Sequence, residues 1–125
     1  YADGKNSEYF SALGDVYLDQ SNYKNASGCF DTAALLGSRD IILYIANGNL
    51  KYTKLNNKIG ALKDFNIALT IDPLNIEALT NRGFYYFEIA DYNAALADFL
   101  AVKKIDPTNE KNIQYIEACK DKIKK

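Results

Sequence analysis

The chain has 125 residues, of which 48% are hydrophobic and 25% are charged, a balance typical of a packed domain. Its 15 basic and 16 acidic residues leave a net charge of −1, so it lacks the concentrated positive charge on which nucleic-acid binding depends. No apolar run is long enough to cross a membrane. We therefore expect neither a nucleic-acid partner nor membrane insertion.

Several kinds of catalytic and metal chemistry are excluded by residue type. The sequence contains no His, so Ser–His and Cys–His nucleophile pairs and His-based zinc sites cannot form. The seven Gly are isolated from one another, and no phosphate-binding loop is present. We expect no enzyme activity, no metal and no cofactor. Two Cys without a disulfide framework, Cys29 and Cys119, favour a reducing compartment, with the cytoplasm as the default.

The first six residues resemble a stretch that lies between two later predicted helices. Asp3 and Asn6 have the same spacing as Asp72 and Asn75, which precede a predicted helix. We therefore expect residues 1–6 to be the tail of an earlier repeat, or the cut end of a longer protein. Ser7 is the expected N-cap of the first helix.

Residues 7–41 and 42–75 each predict two helices joined by a turn. In the first, Asn22 marks the turn and Gly37 suits the end of the second helix. In the second, the helix at residues 59–71 ends before Pro73, which cannot continue it. Its turn, at Asn56 and Asn57, lacks the tyrosine that follows the other turns.

Residues 76–109 carry the clearest pattern. Leu79, Gly83 and Tyr86 recur at spacings that share one helix face, and Ala95 and Phe99 do the same in a second helix. A mid-helix Gly lowers helix propensity by about 1 kcal/mol, which suggests that another helix approaches closely there. Pro107 ends the second helix. Residues 110–125 then predict one more helix, which Asn109 caps. It either solvates the end of the array or opens a fourth repeat, and its lysine-rich end favours the solvating role.

These segments repeat at a period of about 34 residues. The repeated small, aromatic and proline positions are Gly14, Tyr17, Ala26, Phe30, Gly48, Tyr52, Ala61, Phe65, Pro73, Gly83, Tyr86, Ala95, Phe99 and Pro107. On these residues the chain resembles the tetratricopeptide repeat family. The resemblance implies an all-α fold, a right-handed superhelical solenoid of three helix-turn-helix repeats plus a C-terminal helix, with about seven helices.

Two departures from the family pattern carry structural predictions. Arg82 stands where the family usually has Leu, while Asp64 and Asp98 occupy equivalent places. We hypothesise that Arg82 pairs with one of these carboxylates. In the second copy the interval from Gly48 to Tyr52 is one residue too long, which predicts an irregularity near the start of that copy's first helix.

The resemblance also implies a function. First helices of such repeats line a concave groove that holds a peptide of another protein. The groove-facing positions in this sequence are Asp15, Asp19, Asn47, Leu50, Lys54, Glu77, Asn81 and Phe84. Asn side chains offer both donors and acceptors to a peptide backbone, and Phe84 and Leu50 suit apolar anchoring. Alternatively, these residues form only a solvated face.

One subset of the family grips the terminal carboxylate of heat-shock chaperones with Lys, Asn and Arg side chains. The matching positions here are Ser11, Asp15, Asn47, Glu77 and Asn81, and only Asn47 fits. Without the cations, the clamp lacks its charge-assisted hydrogen bonds. We therefore expect no chaperone carboxylate clamp.

The sequence thus predicts a non-catalytic scaffold that binds a peptide segment of an unidentified protein. The alternative is a structural module that self-associates into homo-oligomers within a larger multidomain protein. The placement of exposed aromatics distinguishes them. Phe84, Phe87 and Tyr115 in a groove favour peptide capture, whereas Tyr85 and Tyr115 at open ends favour assembly.

Overall fold

The computed structural model describes residues 3–125, with side chains from residue 6 onward. This part of the chain forms seven helices and no strand, as the sequence predicts. They are α1 (Asp3–Asp19), α2 (Tyr23–Leu35), α3 (Ile41–Thr53), α4 (Lys58–Ile71), α5 (Ile76–Glu88), α6 (Tyr92–Ile105) and α7 (Glu110–Lys124). None of these helices is long and apolar enough to span a membrane.

The helices group into two packed units, which meet in sequence between Ile71 and Asp72. In the first unit α1 packs on α2, α2 on α3, and α3 on α4. In the second unit α5 packs on α6, and α6 on α7. Each pair of helices connected by a turn is therefore a hairpin that packs on its neighbour within its unit.

Most helix boundaries follow local capping chemistry. The side chains of Asn75 and Asn109 accept hydrogen bonds from the backbone N–H of Ala78 and Asn112, at 2.9 and 3.0 Å. The expected cap at Asn109 is thus confirmed. The expected cap at Ser7 is wrong, because α1 already runs from Asp3 and Ser7 is buried within it. Tyr1 and Ala2 lie outside the described residues, so the domain boundary in that region stays a prediction.

A glycine and a phenylalanine close each hairpin. A Cβ atom built on Gly14 would lie 2.6 Å from the ring of Phe30, and the same distance recurs from Gly48 to Phe65 and from Gly83 to Phe99. All three rings are only 1% exposed. The mid-helix glycines therefore let a buried aromatic ring contact the opposite backbone directly, as the sequence indicates.

These contacts also locate the irregularity of the second repeat. The residue three positions after each glycine accepts a hydrogen bond from the backbone N–H that precedes the next helix: Tyr17 from Asn22, Lys51 from Asn57, and Tyr86 from Asp91. Lys51, rather than Tyr52, is thus equivalent to Tyr17 and Tyr86. The extra residue lies between Lys51 and Asn57, in the turn, and the expectation of an irregularity near the start of α3 is wrong.

We predict that Gly83→Ala lowers the free energy of unfolding by about 1–3 kcal/mol, because the new methyl group overpacks against a ring that cannot move away. Gly28→Ala is the matched control. Gly28 lies in α2 with open space around its Cβ position, so that change should be neutral or stabilise by up to about 1 kcal/mol. Urea denaturation of both variants tests this, and equal stability of the two would contradict it.

Candidate functional site

An exposed aromatic side chain follows the glycine of α5. Phe84 is 37% exposed, and its ring lies 5.7 Å from that of Phe99 on α6 and 4.8 Å from that of Tyr115 on α7, between centroids. Both pairs have an edge-to-face geometry, which the ring quadrupoles favour. Phe84 therefore bridges three helices of the second unit while part of its ring stays accessible.

These rings surround a small cavity of about 160 Å³ whose walls expose only apolar atoms. We call it the aromatic pocket, and its lining residues are Phe84, Phe87, Phe99, Tyr115 and Ala118. Beneath it, Ile116 and Cys119 of α7 pack against Phe99 and Ala95 of α6. The pocket is thus an opening in the surface of an apolar core, suited to one apolar side chain.

A buried hydrogen bond holds α7, the helix that contributes Tyr115 and Ala118 to the pocket, against α6. The side-chain amide of Asn112, which is 2% exposed, donates to the backbone carbonyl oxygen of Phe99 at 2.9 Å. This bond ties α7 to the carbonyl of the residue whose ring lines the pocket. The position of Tyr115, one turn of helix further along, is fixed by the same packing.

Two buried carboxylates of the hairpins are paired with cations. The guanidinium of Arg82 binds both carboxylate oxygens of Asp98, at 2.7 and 2.9 Å, which confirms that Arg82 pairs with one of the two equivalent carboxylates. The other, Asp64, is paired with the ammonium of Lys51 at 2.9 Å. Both carboxylates are buried beside a cation of their own unit, an arrangement that supports packing rather than acid–base chemistry.

The second ion pair extends into a polar network across α2, α3 and α4. Lys51 also lies 2.8 Å from Asp31, which in turn accepts from the amide of Asn47 at 2.9 Å. Burial raises the pKa of the Asp64 carboxyl, and Lys51 opposes part of that rise. Burial alone would lower the pKa of Lys51, but its two carboxylate partners raise it overall.

Two of the residues expected to face a peptide are buried instead. Asn47 is 1% exposed, and it accepts from the hydroxyl of Ser27 at 2.8 Å in addition to its bond with Asp31. Leu50 is 5% exposed. Both expectations need correction, because these side chains hold helices together and have no free surface to offer.

The other expected positions are accessible to different degrees. Asp15, Asp19, Lys54 and Glu77 are exposed, whereas Asn81 is partly buried. The ammonium of Lys54 lies 5.3 Å from the ring centroid of Tyr23, a cation–π distance. Peptide contact by these residues stays a prediction. Among the residues expected to face a peptide, Phe84 lines the aromatic pocket.

The other aromatics named in the sequence analysis differ in their exposure. Phe87 and Tyr115 join Phe84 in the pocket, while Tyr85 is 8% exposed and does not form an open end. Sequence reasoning missed Phe99 and Ala118 as pocket residues. Ala118 follows Phe84 by one repeat period, and that spacing was the available signal.

Comparisons with known proteins agree with this architecture. A family model for the tetratricopeptide repeat matches residues 76–109, the stretch with the clearest pattern. Residues 76–109 are a tetratricopeptide repeat. The Hsp70-Hsp90 organizing protein of Triticum aestivum is 27% identical over all 125 residues. The chain spans 21% of the length of that relative.

Solved tetratricopeptide repeat structures share the fold. The first such domain of Spaghetti (RPAP3), bound to the HSP90 peptide SRMEEVD, matches with a TM-score of 0.82 at 17% identity, over 97% of this chain and 95% of that one. The second domain of human RPAP3, in complex with the HSP70 peptide SGPTIEEVD, has a TM-score of 0.80 at 18% identity, over 95% and 98%. At these identities the likeness establishes the fold alone. Because both neighbours hold chaperone peptides, the comparisons give no support to the expectation that such peptides are excluded.

We predict that Arg82→Leu lowers the free energy of unfolding by about 1–3 kcal/mol, because it leaves the carboxylate of Asp98, which is 4% exposed, without its partner. The double variant Arg82→Leu/Asp98→Leu should recover most of this loss, since replacing both partners with apolar groups is often neutral. Lys104→Ala, at an exposed position of α6, is the control. A melting temperature of Arg82→Leu at or above that of the wild type would refute the structural role of the pair.

Proposed function

We propose that this tetratricopeptide repeat protein is a non-catalytic module that binds a peptide segment of another protein, and that the aromatic pocket receives an apolar side chain of that peptide. The observation that carries the proposal is the pocket itself, an accessible apolar cavity lined by four aromatic rings and one alanine. Aromatic side chains around a well-packed cavity are characteristic of the sites that dominate binding energy in protein interfaces.

The geometry of the pocket favours an aliphatic or small aromatic anchor. Phe84 makes edge-to-face contacts with Tyr115 and Phe99, and the ring of Tyr115 lies tilted against that of Phe99, so the pocket is largely formed before the peptide arrives. Preorganisation reduces the entropy lost on binding. Exposed Glu77 lies on α5 as well, and a peptide with basic residues beside its anchor would complement that charge.

Recognition through this pocket does not require a terminal carboxylate. Ser11, Asp15, Glu77 and Asn81 supply no cation at the positions where the chaperone-binding subset has its charged residues, and Asn47 is already hydrogen-bonded within its unit. The likeness to the two chaperone-peptide complexes supports peptide binding in general. We propose that this chain recognises its peptide through the apolar anchor side chain.

The test is selection of a random twelve-residue peptide library displayed on phage against the wild-type chain. Selected peptides should share a Leu, Ile, Met or Phe, and synthetic versions should bind Phe84→Ser about tenfold more weakly, because a polar side chain replaces one wall of the pocket. Ile42→Ser, an exposed apolar residue of the other unit at 71% exposure, is the control and should bind as the wild type does. Amidation of the peptide's C-terminus should leave affinity unchanged.

Two results would contradict the proposal. The first is a set of selected peptides whose affinity is the same for Phe84→Ser and wild type. The second is tight binding of SRMEEVD that disappears when its C-terminal carboxylate is amidated, since this would restore the carboxylate clamp as the mode of recognition. The alternative of self-association stays a prediction, and a monomer mass that is independent of concentration would count against it.

A further inference from the structure

The residues that line the aromatic pocket differ sharply in size. Each flanking helix contributes two residues one turn apart, Phe84 and Phe87 from α5 and Tyr115 and Ala118 from α7, and the buried Phe99 of α6 completes the lining. Four of these side chains carry a ring, whereas Ala118 has only a methyl group. The space between the rings is therefore bounded in part by a very small side chain.

The repeats differ in size at the position of Ala118. Ala118 follows Phe84 by one repeat period, and the corresponding residues of α1 and α3 are Asp15 and Asn49. Alanine is the smallest of these four side chains. Because Ala118 is exposed, packing of the core does not require a small residue there. A larger side chain at this position would instead occupy the space that the pocket leaves open.

The lining residues have little freedom to move apart. The ring of Phe99 lies against the backbone of Gly83, within 2.6 Å of the position that a Cβ atom would take. The ring of Phe87 makes an edge-to-face contact with that of Tyr92, at 5.1 Å between centroids. The methyl carbon of Ala118 is fixed by the helix backbone, since no rotatable bond can displace it. The pocket therefore cannot enlarge without shifting packed residues.

The volume of the pocket then limits what can enter it. The cavity measures about 160 Å³. An engineered apolar cavity of roughly 150 Å³ in another protein holds one benzene molecule. A single phenyl ring or a branched aliphatic group thus fits the aromatic pocket, whereas the fused rings of an indole exceed it.

From these observations we infer that Ala118 determines the size of the anchor side chain that the aromatic pocket accepts, an inference that rests on the proposed peptide-binding function. The chain selects peptides whose anchor is a branched aliphatic side chain or a single phenyl ring, and it rejects an indole. In this division of roles Phe84 and Tyr115 provide contact area, and Ala118 provides the size limit.

A series of synthetic peptides tests this inference. The template is a twelve-residue peptide that the wild-type chain selects and that binds through Phe84, and its anchor is replaced in turn by Phe, by each of the three ring-methylated phenylalanines and by Trp. Fluorescence anisotropy measures the affinity of the wild type, Ala118→Gly and Ala118→Leu. Gln114→Gly and Gln114→Leu are matched controls, because Gln114 is exposed on α7 and does not line the pocket. Melting curves establish that each variant is folded.

The wild type should bind the Trp peptide, and at least one methylated peptide, about tenfold or more weakly than the Phe peptide, since a single misfitting methyl group is enough for such discrimination. Ala118→Gly removes one methyl group from the lining and should bind that methylated peptide at least as tightly as the Phe peptide. Ala118→Leu fills the cavity and should weaken binding of the Phe peptide at least about tenfold. Both Gln114 variants should keep the wild-type order of affinities.

An identical order of affinities in the wild type and Ala118→Gly would overturn the assignment of Ala118, and so would a folded Ala118→Leu variant with wild-type affinity. If Ala118→Leu does not fold, Ala118→Gly alone decides. Equal affinity of the wild type for the Phe and Trp peptides would overturn the size limit. In these cases the proposed function stands while binding still depends on Phe84, whereas failure to select any Phe84-dependent peptide would overturn both.

Discussion

The contact between a helix backbone and a phenylalanine ring sets the geometry of every hairpin in this protein. With no side chain at Gly14, Gly48 or Gly83, the ring of the partner helix comes within 2.6 Å of the position that a Cβ atom would take, too close for any other residue without a shift. Each ring is almost fully buried, so it fixes how the two helices cross and leaves little freedom to adjust. The cost in helix propensity at each glycine is about 1 kcal/mol, and the close packing offsets it.

That contact also determines which side chains can have a function. The ring of Phe99 touches Gly83 on one side and lines the aromatic pocket with Phe84 and Tyr115. One residue before Gly48 and Gly83, the side chain meets a neighbouring helix: Asn47 joins the polar network of its unit, and Arg82 binds Asp98. In α5, the ion-paired Arg82 and the exposed Phe84 therefore lie on either side of the glycine that contacts the ring.

Much of the fold could be predicted from the sequence, because the repeat period, the mid-helix glycines and the prolines are local signals with single physical meanings. The pairing of Arg82 with one of the two equivalent carboxylates, Asp64 and Asp98, was predicted, but the choice of Asp98 needed coordinates. Other features needed coordinates. Because Tyr52 is aromatic, the sequence aligns it with Tyr17 and Tyr86. The hydrogen bond from the turn to the backbone of Lys51 shows instead that Lys51 is their equivalent. Periodicity could not distinguish exposed Phe84 from buried Asn47 and Leu50, because burial depends on the packing of the helices around each side chain. The pocket, which combines three helices, could be predicted only in part.

A double-mutant cycle between Gly83 and Phe99 tests the central claim most directly, since it measures the coupling of the two residues rather than the loss of either. The smaller side chain in Phe99→Leu leaves room for a methyl group at position 83. If the close approach sets the hairpin, the destabilisation by Gly83→Ala should be smaller by at least about 1 kcal/mol in the Phe99→Leu background than in the wild type. An equal loss in both backgrounds would mean that the two residues do not interact, and the account of the hairpin would be wrong.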